Sequence, residues 1–378
     1  MNTKLRSVLS GWTLATTISV VTLTGAICYA ADDSPVDASE RAMAKAREKD
    51  PAWKPSHKTK SVIQIGKKGQ GGNVHSFCVN QDGNLLVCCG GVRWIEDASG
   101  DDSKRKKVEE PSVVKVYTPD GKMLTEWKME SEPEVITQVG GVIYVAGDGK
   151  IMKLDQEGKV IASAESPVLS KKIELSSTFV EDLKSNKMSD AEIEKYKGYL
   201  ETRKKSITGI AVSGQDVFVA CPSPSDFSFT VYRLNSNLKN PVLIVDGLRG
   251  CCGQMDIQAR DGKLWIAHNA RHQVESHDRD GKLMTKFGKM DRKEADGFGG
   301  CCEPKNMRFT SKGDIFVTES GPPVTVKRFS AKGKFLGVIG LPGWNSGCVR
   351  VTVDCSLNGK NFYVLNSGDD SIHVLTPK

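Results

Sequence analysis

Beyond residue 30 the sequence has no run approaching the roughly 20 consecutive apolar residues that a membrane helix requires. It also has no C-x-x-C-H for covalent haem, no H-E-x-x-H, no G-x-S-x-G and no phosphate-cradling loop, which removes the usual signatures of those chemistries. Charge of one sign is scarce. Lys and Arg number 53 against 46 Asp and Glu, a formal net charge of +7. The one dense basic run, SKRKK at 103–107, is answered by Glu109 and Glu110, and no arginine-aromatic interleaving occurs, so nucleic acid is not an expected partner.

What is present begins at the amino terminus. Lys4 and Arg6 precede the mostly apolar or hydroxyl-bearing run GWTLATTISVVTLTGAI, which ends at small residues in CYAA, so residues 1–30 read as a secretory signal cut after Ala30. A lipid anchor on Cys28 fits less well, because Ile27 stands where lipoprotein signals need a small residue. On this reading the mature chain is exported, periplasmic or extracellular, with its formal charge lowered to +5 and ten of its eleven cysteines retained where disulfides can form.

A strand-like run then repeats six times, as DGNLLVCC, GGVIYVAG, GQDVFVAC, DGKLWIAH, KGDIFVTE and GKNFYVLN, each led by a glycine-bearing turn. Several copies are followed by a second run and another turn, as in VVKVYTPDGKMLTEW and VKRFSAKGKFLGVIG. The period of about 40 residues predicts four-stranded antiparallel blades arranged radially, an all-β six-bladed propeller. The last unit stops one strand short at Lys378, and SVIQIG at 61–66 is expected to supply that strand and close the ring. Two segments fit no blade. Residues 31–58 read as a charged linker or short outer helix, and 166–205 as a helical insert after the second blade, with a capping box at Ser189–Glu192. The propeller proper is expected over 59–378.

The runs EPKNMRFTSKGDIFVTES…VKRFSAKGKFLGVIG and GQMDIQARDGKLWIAH…DRDGKLMTKFG resemble NHL repeats, most closely over 249–340. That family forms six-bladed propellers whose members include lyases, lactonase relatives and interaction scaffolds, so the resemblance implies the fold far more than the function. It also implies that inner strands begin, and second strands end, at one mouth of a central channel. Cys251-Cys252 and Cys301-Cys302 then precede inner strands there, with His75 and Cys348. Cys89, Cys221 and His268 align at second-strand ends with Gly147, Glu319 and Asn366. Lys305, Arg350 and Arg93 at the same mouth would favour an acidic ligand, and the insert and a long 90–112 loop would decorate that face.

Three uses remain open for the adjacent pairs Cys88-Cys89, Cys251-Cys252 and Cys301-Cys302. Neighbouring Cα atoms lie about 3.8 Å apart, short of the 4.4–6.8 Å roughly spanned by ordinary disulfides, so a bond between neighbours would be a strained, rigid, sulfur-faced ring. Reduced thiols with His75, His268 or His272 would instead suit copper(I) or zinc, although CC is not a chelating spacing. Cross-links between blades, such as Cys78 with Cys355, are the third use. Among the other histidines, His277 reads as third-strand packing, His373 as exposed and His57 as linker. His268, followed by Arg271 and His272, is the strongest candidate for chemistry, with Glu319 to orient it and Arg271 to receive an anion.

These readings favour a monomeric propeller that binds a small molecule or peptide at a mouth lined by Cys88, Cys89, Cys221, Cys251, Cys252, Cys301, Cys302 and Asn366. The alternatives are a metal-dependent lyase or lactonase-like hydrolase, with metal on His75 or His268 and proton or anion handling by Glu319 or Arg271, and a protein-interaction scaffold.

Overall fold

A computed structural model describes residues 46–47, 49–66, 73–95, 106–250, 254–321, 323–344 and 350–378. Its strands form six four-stranded antiparallel sheets. Blade one is β2 (Val74–Val79), β3 (Leu85–Ile95), β4 (Lys106–Tyr117) and β5 (Met123–Lys128), and blade two is β6 (Val135–Val139), β7 (Val142–Gly147), β8 (Lys150–Leu154) and β9 (Val160–Glu165). Blade three is β10 (Gly209–Ser213), β11 (Asp216–Pro222), β12 (Phe229–Asn235) and β13 (Val242–Leu248); blade four is β14 (Ile257–Arg260), β15 (Lys263–His268), β16 (Gln273–His277) and β17 (Leu283–Phe287). Blade five is β18 (Asn306–Phe309), β19 (Ile315–Glu319), β20 (Thr325–Phe329) and β21 (Phe335–Gly340). Blade six takes β22 (Val353–Cys355), β23 (Phe362–Asn366) and β24 (Ser371–Pro377) from the carboxyl end and β1 (His57–Gln64) from the amino end. The ring is therefore closed by the front of the chain, with Ile63 opposite Ile372.

The outer hairpins explain the repeated turn signature. In TPDGK the Thr118 hydroxyl accepts from Lys122 N–H and the Thr118 carbonyl from Gly121 N–H, and in DRDGK Asp278 does the same for Lys282 and Gly281. Gly121 and Gly281 hold φ of 92° and 89°, a region that glycine enters without the Cβ penalty.

The core lies between blades, because both faces of each sheet are covered. Along β3, Leu85, Val87 and Cys89 face blade six and pack with Tyr363 and Ile372, while Leu86 and Cys88 face blade two and pack with Ile136, Ile143 and Met152. Strands buried on both faces read as continuous apolar runs, which is why LLVCC lacks polar alternation.

Polar side chains tie successive inner strands together. Glu134 before β6 accepts from Ile207 N–H (2.5 Å) ahead of β10, Asp256 before β14 accepts from Met307 N–H of β18 (2.8 Å), and Asn306 of β18 accepts from Val353 N–H of β22 (3.0 Å). Asp370 accepts from Val74 N–H (3.1 Å) across the closure between blades six and one.

Two expectations need correcting. Within 90–112, the described residues 90–95 and 106–112 extend β3 and β4, with Gly91 opposite Glu110 and Ile95 opposite Lys106, so the expected loop is narrowed to 96–105, which lie outside the described residues. His57 belongs to β1, not to a linker. Its Nε2 lies 3.0 Å from the Lys360 carbonyl and its ring packs edge-on against Phe362. Just ahead of it, Trp53 is buried against Ala295 and Val338, so this part of the chain is docked on the outside of blade five.

The segment 166–205 holds two helices, α1 (Ser177–Ser185) and α2 (Asp190–Arg203). Ser189 and Glu192 form a reciprocal capping box at the start of α2. Tyr199 of α2 stacks on Phe227 in the β11–β12 turn (5.7 Å between centroids), which brings the insert beside the channel mouth. Among the described residues no helix is long and apolar enough to cross a membrane.

Candidate ligand site at the channel mouth

Inner strands from all six blades line a narrow bore whose walls include Ser76, Thr208, Asp256, Lys305, Arg308 and Arg350. The bore leaves about 20 Å³ for water, room for one or two molecules. Its charge is uneven. Lys305 is 2% exposed, Arg308 donates to the Met307 carbonyl (2.7 Å) and lies 3.3 Å from Asp256, and Arg350 donates to the Glu134 carbonyl (2.8 Å). Against these cations stand Asp256 and Glu134. Burial pushes both carboxyls up, opposed at Asp256 first by the Arg308 charge and at Glu134 first by the Ile207 N–H. The side chain of Arg93 lies outside the described residues.

At the rim, His75 Nε2 lies 2.9 Å from the Gly90 carbonyl and 2.9 Å from Glu132 Oε1. The His75 hydrogen bond holds the Glu132 carboxyl below its ordinary range. His75 is thus committed to a carboxylate and a backbone acceptor of neighbouring segments.

His268 is buried in the interface of blades three and four and is partnered by Glu275, not Glu319. Its Nδ1 lies 2.9 Å from Glu275 Oε1, and His277 Nε2 lies 3.3 Å from Glu275 Oε2. The register pairs Ile266 with Glu275 and Leu264 with His277, so all three polar residues share the face that packs on blade three. His277 is buried as expected, but it also hydrogen-bonds the Gly281 carbonyl at 3.0 Å and so does more than pack. Sequence reasoning missed Glu275. Its signal was the i, i+2 spacing of Glu275 and His277, which puts both side chains on one face of the strand.

Glu319 serves a different network, in which its Oε1 accepts from Gly299 N–H (2.6 Å) and its Oε2 lies 2.5 Å from Lys327 Nζ. Lys327 has no exposure and also donates to the Gly297 carbonyl. Arg271 is exposed on the turn Asn269–Arg271, while His272 is buried with φ of 55° and its pKa is lowered by burial, with Glu319 opposing. Asn366 accepts from Gly368 N–H in its own turn (3.1 Å). His373 is half-buried rather than exposed, because Trp344 packs on its ring at 4.3 Å.

The cysteines divide sharply. Cys88, Cys89 and Cys221 lie inside interblade clusters instead of facing the mouth, and burial pushes their thiols up, to about 12 for Cys89 and Cys221. Cys221 also contacts the Ser166 hydroxyl at 3.4 Å. Cys78 faces the cluster between blades one and two and Cys355 the one between blades five and six, so the proposed cross-link is not formed. Cys301 is exposed, Cys302 is buried, and their Sγ atoms lie 3.0 Å apart. Cys251, Cys252 and Cys348 lie outside the described residues. Among the described residues no three His, Cys, Asp or Glu side chains converge to hold a metal ion.

A larger cleft of about 410 Å³ opens at the opposite face between blades five and six, where Lys54, His57, Lys312 and Arg328 border an apolar floor that includes Val338 and Phe362.

No family model matches the sequence, and no curated protein matches it. Among solved structures, the chain is similar to a structural genomics protein of unknown function from Bacteroides thetaiotaomicron, with a TM-score of 0.51, 9% identity, and coverage of 84% of this chain and 76% of that one. A chain of a mitotic checkpoint complex aligns with a TM-score of 0.49 and 10% identity over 87% of this chain and 94% of its own length. At such identity the first likeness shows the propeller fold alone.

Proposed function

We propose that this chain is an exported, NHL-like propeller that binds a small acidic ligand at the mouth of its central channel. The observation that carries the reading is the convergence of Lys305, Arg308 and Arg350 on one bore, with carboxylates that are largely consumed by backbone and arginine contacts. Burial in a channel of low dielectric strengthens the pull of such cations on an anion well beyond what exposed lysines provide. The bore itself has room only for water, so the body of the ligand would rest in the mouth and send one acidic group toward the cations. The insert beside the mouth supplies a wall for that ligand, with Tyr199 and Phe227 at its edge.

The test is a calorimetric screen of mono- and dicarboxylates and inorganic phosphate at low and high salt. Binding that weakens with salt, and weakens at least tenfold in Arg350→Gln with the fold intact by circular dichroism, supports the reading. Absence of binding by every acid, or affinity indifferent to Arg350→Gln and to Arg308→Gln, overturns it.

A further inference from the structure

The structure separates cysteine pairs that look alike in sequence. Cys88 and Cys89 lie in β3, where successive side chains point to opposite faces, one toward blade two and the other toward blade six. They cannot join to each other. Cys301 and Cys302 lie outside any strand, in the turn between Gly299 and Glu303, and that turn brings both sulfurs to one side with 3.0 Å between them.

The turn is pinned at both ends. Gly299 N–H donates to Glu319 Oε1 at 2.6 Å, and Glu303 Oε1 accepts from Ser320 N–H (2.8 Å), the Ser320 hydroxyl (2.8 Å) and Gly321 N–H (3.1 Å). The preceding glycine is required by this close packing, since a Cβ on Gly300 would stand 2.5 Å from Glu303 Oε1. In GGCCE, then, glycine and glutamate fix the backbone and the two thiols are left at the mouth end of blade five, Cys301 exposed and Cys302 buried behind it.

We propose that Cys301 and Cys302 form a two-electron thiol–disulfide exchange site whose partners are small-molecule disulfides and dithiols. The exposed Cys301, as thiolate, attacks one sulfur of a disulfide R–S–S–R, forming a mixed disulfide and releasing R–S⁻. Cys302 then attacks the Cys301 sulfur, closing the Cys301–Cys302 disulfide and releasing the second R–S⁻. The protons of the two cysteine thiols end on the two released thiolates, and the pair of electrons lost by the cysteines reduces R–S–S–R to two R–SH. A bond between adjacent residues forces Cα atoms about 3.8 Å apart into a linkage that prefers at least roughly 4.4 Å, so the oxidised ring passes its disulfide readily to an incoming dithiol. Cys78, Cys88, Cys89 and Cys221 do not compete, because they are enclosed in interblade clusters where burial raises their thiols, whereas Cys302, also buried, has only to reach the Cys301 sulfur 3.0 Å away.

The experiment takes reduced, desalted wild-type protein, exposes it to oxidised glutathione and maps the products by mass spectrometry of peptides. The expected result is a Cys301–Cys302 peptide lighter by two hydrogens, carrying no glutathione and restored by dithiothreitol. Cys302→Ser is expected to keep one glutathione on Cys301, and Cys301→Ser to leave Cys302 unmodified. Glutathione retained on wild-type Cys301, both thiols unreacted, or either one bonded to another cysteine overturns the proposal. The wild-type map decides the matter even where a variant fails to fold.

Discussion

Nδ1 of His268 lies 2.9 Å from one carboxylate oxygen of Glu275, and the other oxygen is met at 3.3 Å by Nε2 of His277. Burial works to raise the Glu275 pKa, but hydrogen bonds from His268 and His277, and then their charges, outweigh it and hold the carboxyl at about 2. A carboxyl of about 4.3 in the unfolded chain that falls to about 2 on folding adds stability above the first value, and loses it as pH drops toward the second. Glu275→Gln should therefore lower the unfolding free energy by about 2–3 kcal/mol near neutral pH. In urea titrations the gap from wild type should close as pH falls from about 4 to about 2. A gap that stays constant through that window would show that packing, not charge, is what the substitution removes.

Glu303 behaves in the opposite sense. It is 1% exposed, and burial, with Lys305 opposing, raises its pKa to about 7. Folding therefore favours the protonated carboxyl. Its contribution is complete below about pH 4, and is lost as pH rises through about 7. Wild type should lose thermal stability between mildly acidic and mildly alkaline pH by an amount missing from Glu303→Gln, which keeps the acceptor for Ser320 and Gly321. Scanning calorimetry of the two proteins at matched pH measures it, and parallel profiles would refute it.

Lys327 and Glu319 form a buried ion pair in which neither charge has water to fall back on. Lys327→Met leaves the carboxylate uncompensated and should cost roughly 3–5 kcal/mol, while adding Glu319→Gln should recover part of the loss. A double-mutant cycle by denaturant unfolding reads the coupling. Strictly additive losses would mean that the pair acts as two independent residues.

The blades were legible because their physics is local and repeated. A turn that holds a left-handed glycine recurs between the first two strands of each blade, and strands covered on both faces leave unbroken apolar runs such as LLVCC. What escaped the sequence depends on register and on which segments fold back. Glu275 matters only because β15 and β16 align to set it beside His268 and His277. His373 looked exposed until Trp344 from the loop after β21 covered it. The cysteine pairs could have been sorted from their flanks, since apolar LLV before Cys88 announces a strand that parts the two sulfurs, whereas GG before Cys301 and EP after Cys302 announce a turn, which brings them within 3.0 Å.

The closing strand offers the sharpest test of the ring. β1 supplies the fourth strand of blade six, Ile63 is buried against β24 and within the core shared with blade one, and Asp370 at the start of β24 accepts the N–H of Val74 across the seam. Removing residues up to Gln64 would bare the full edge of β24, from Ser371 to Pro377, and the apolar face of Tyr363 and Val374 beneath it. An unpaired edge backed by exposed apolar surface recruits other chains. The truncated protein should therefore elute as oligomers or aggregate in light scattering and lose its cooperative urea transition. Ile63→Asp, which keeps the strand but places a charge in that core, should keep the wild-type elution volume at low concentration while losing several kcal/mol of stability. A truncated chain that elutes as wild type does and unfolds cooperatively at the wild-type midpoint would mean that the seam between blades one and six is held by Asp370 and the inner strands alone.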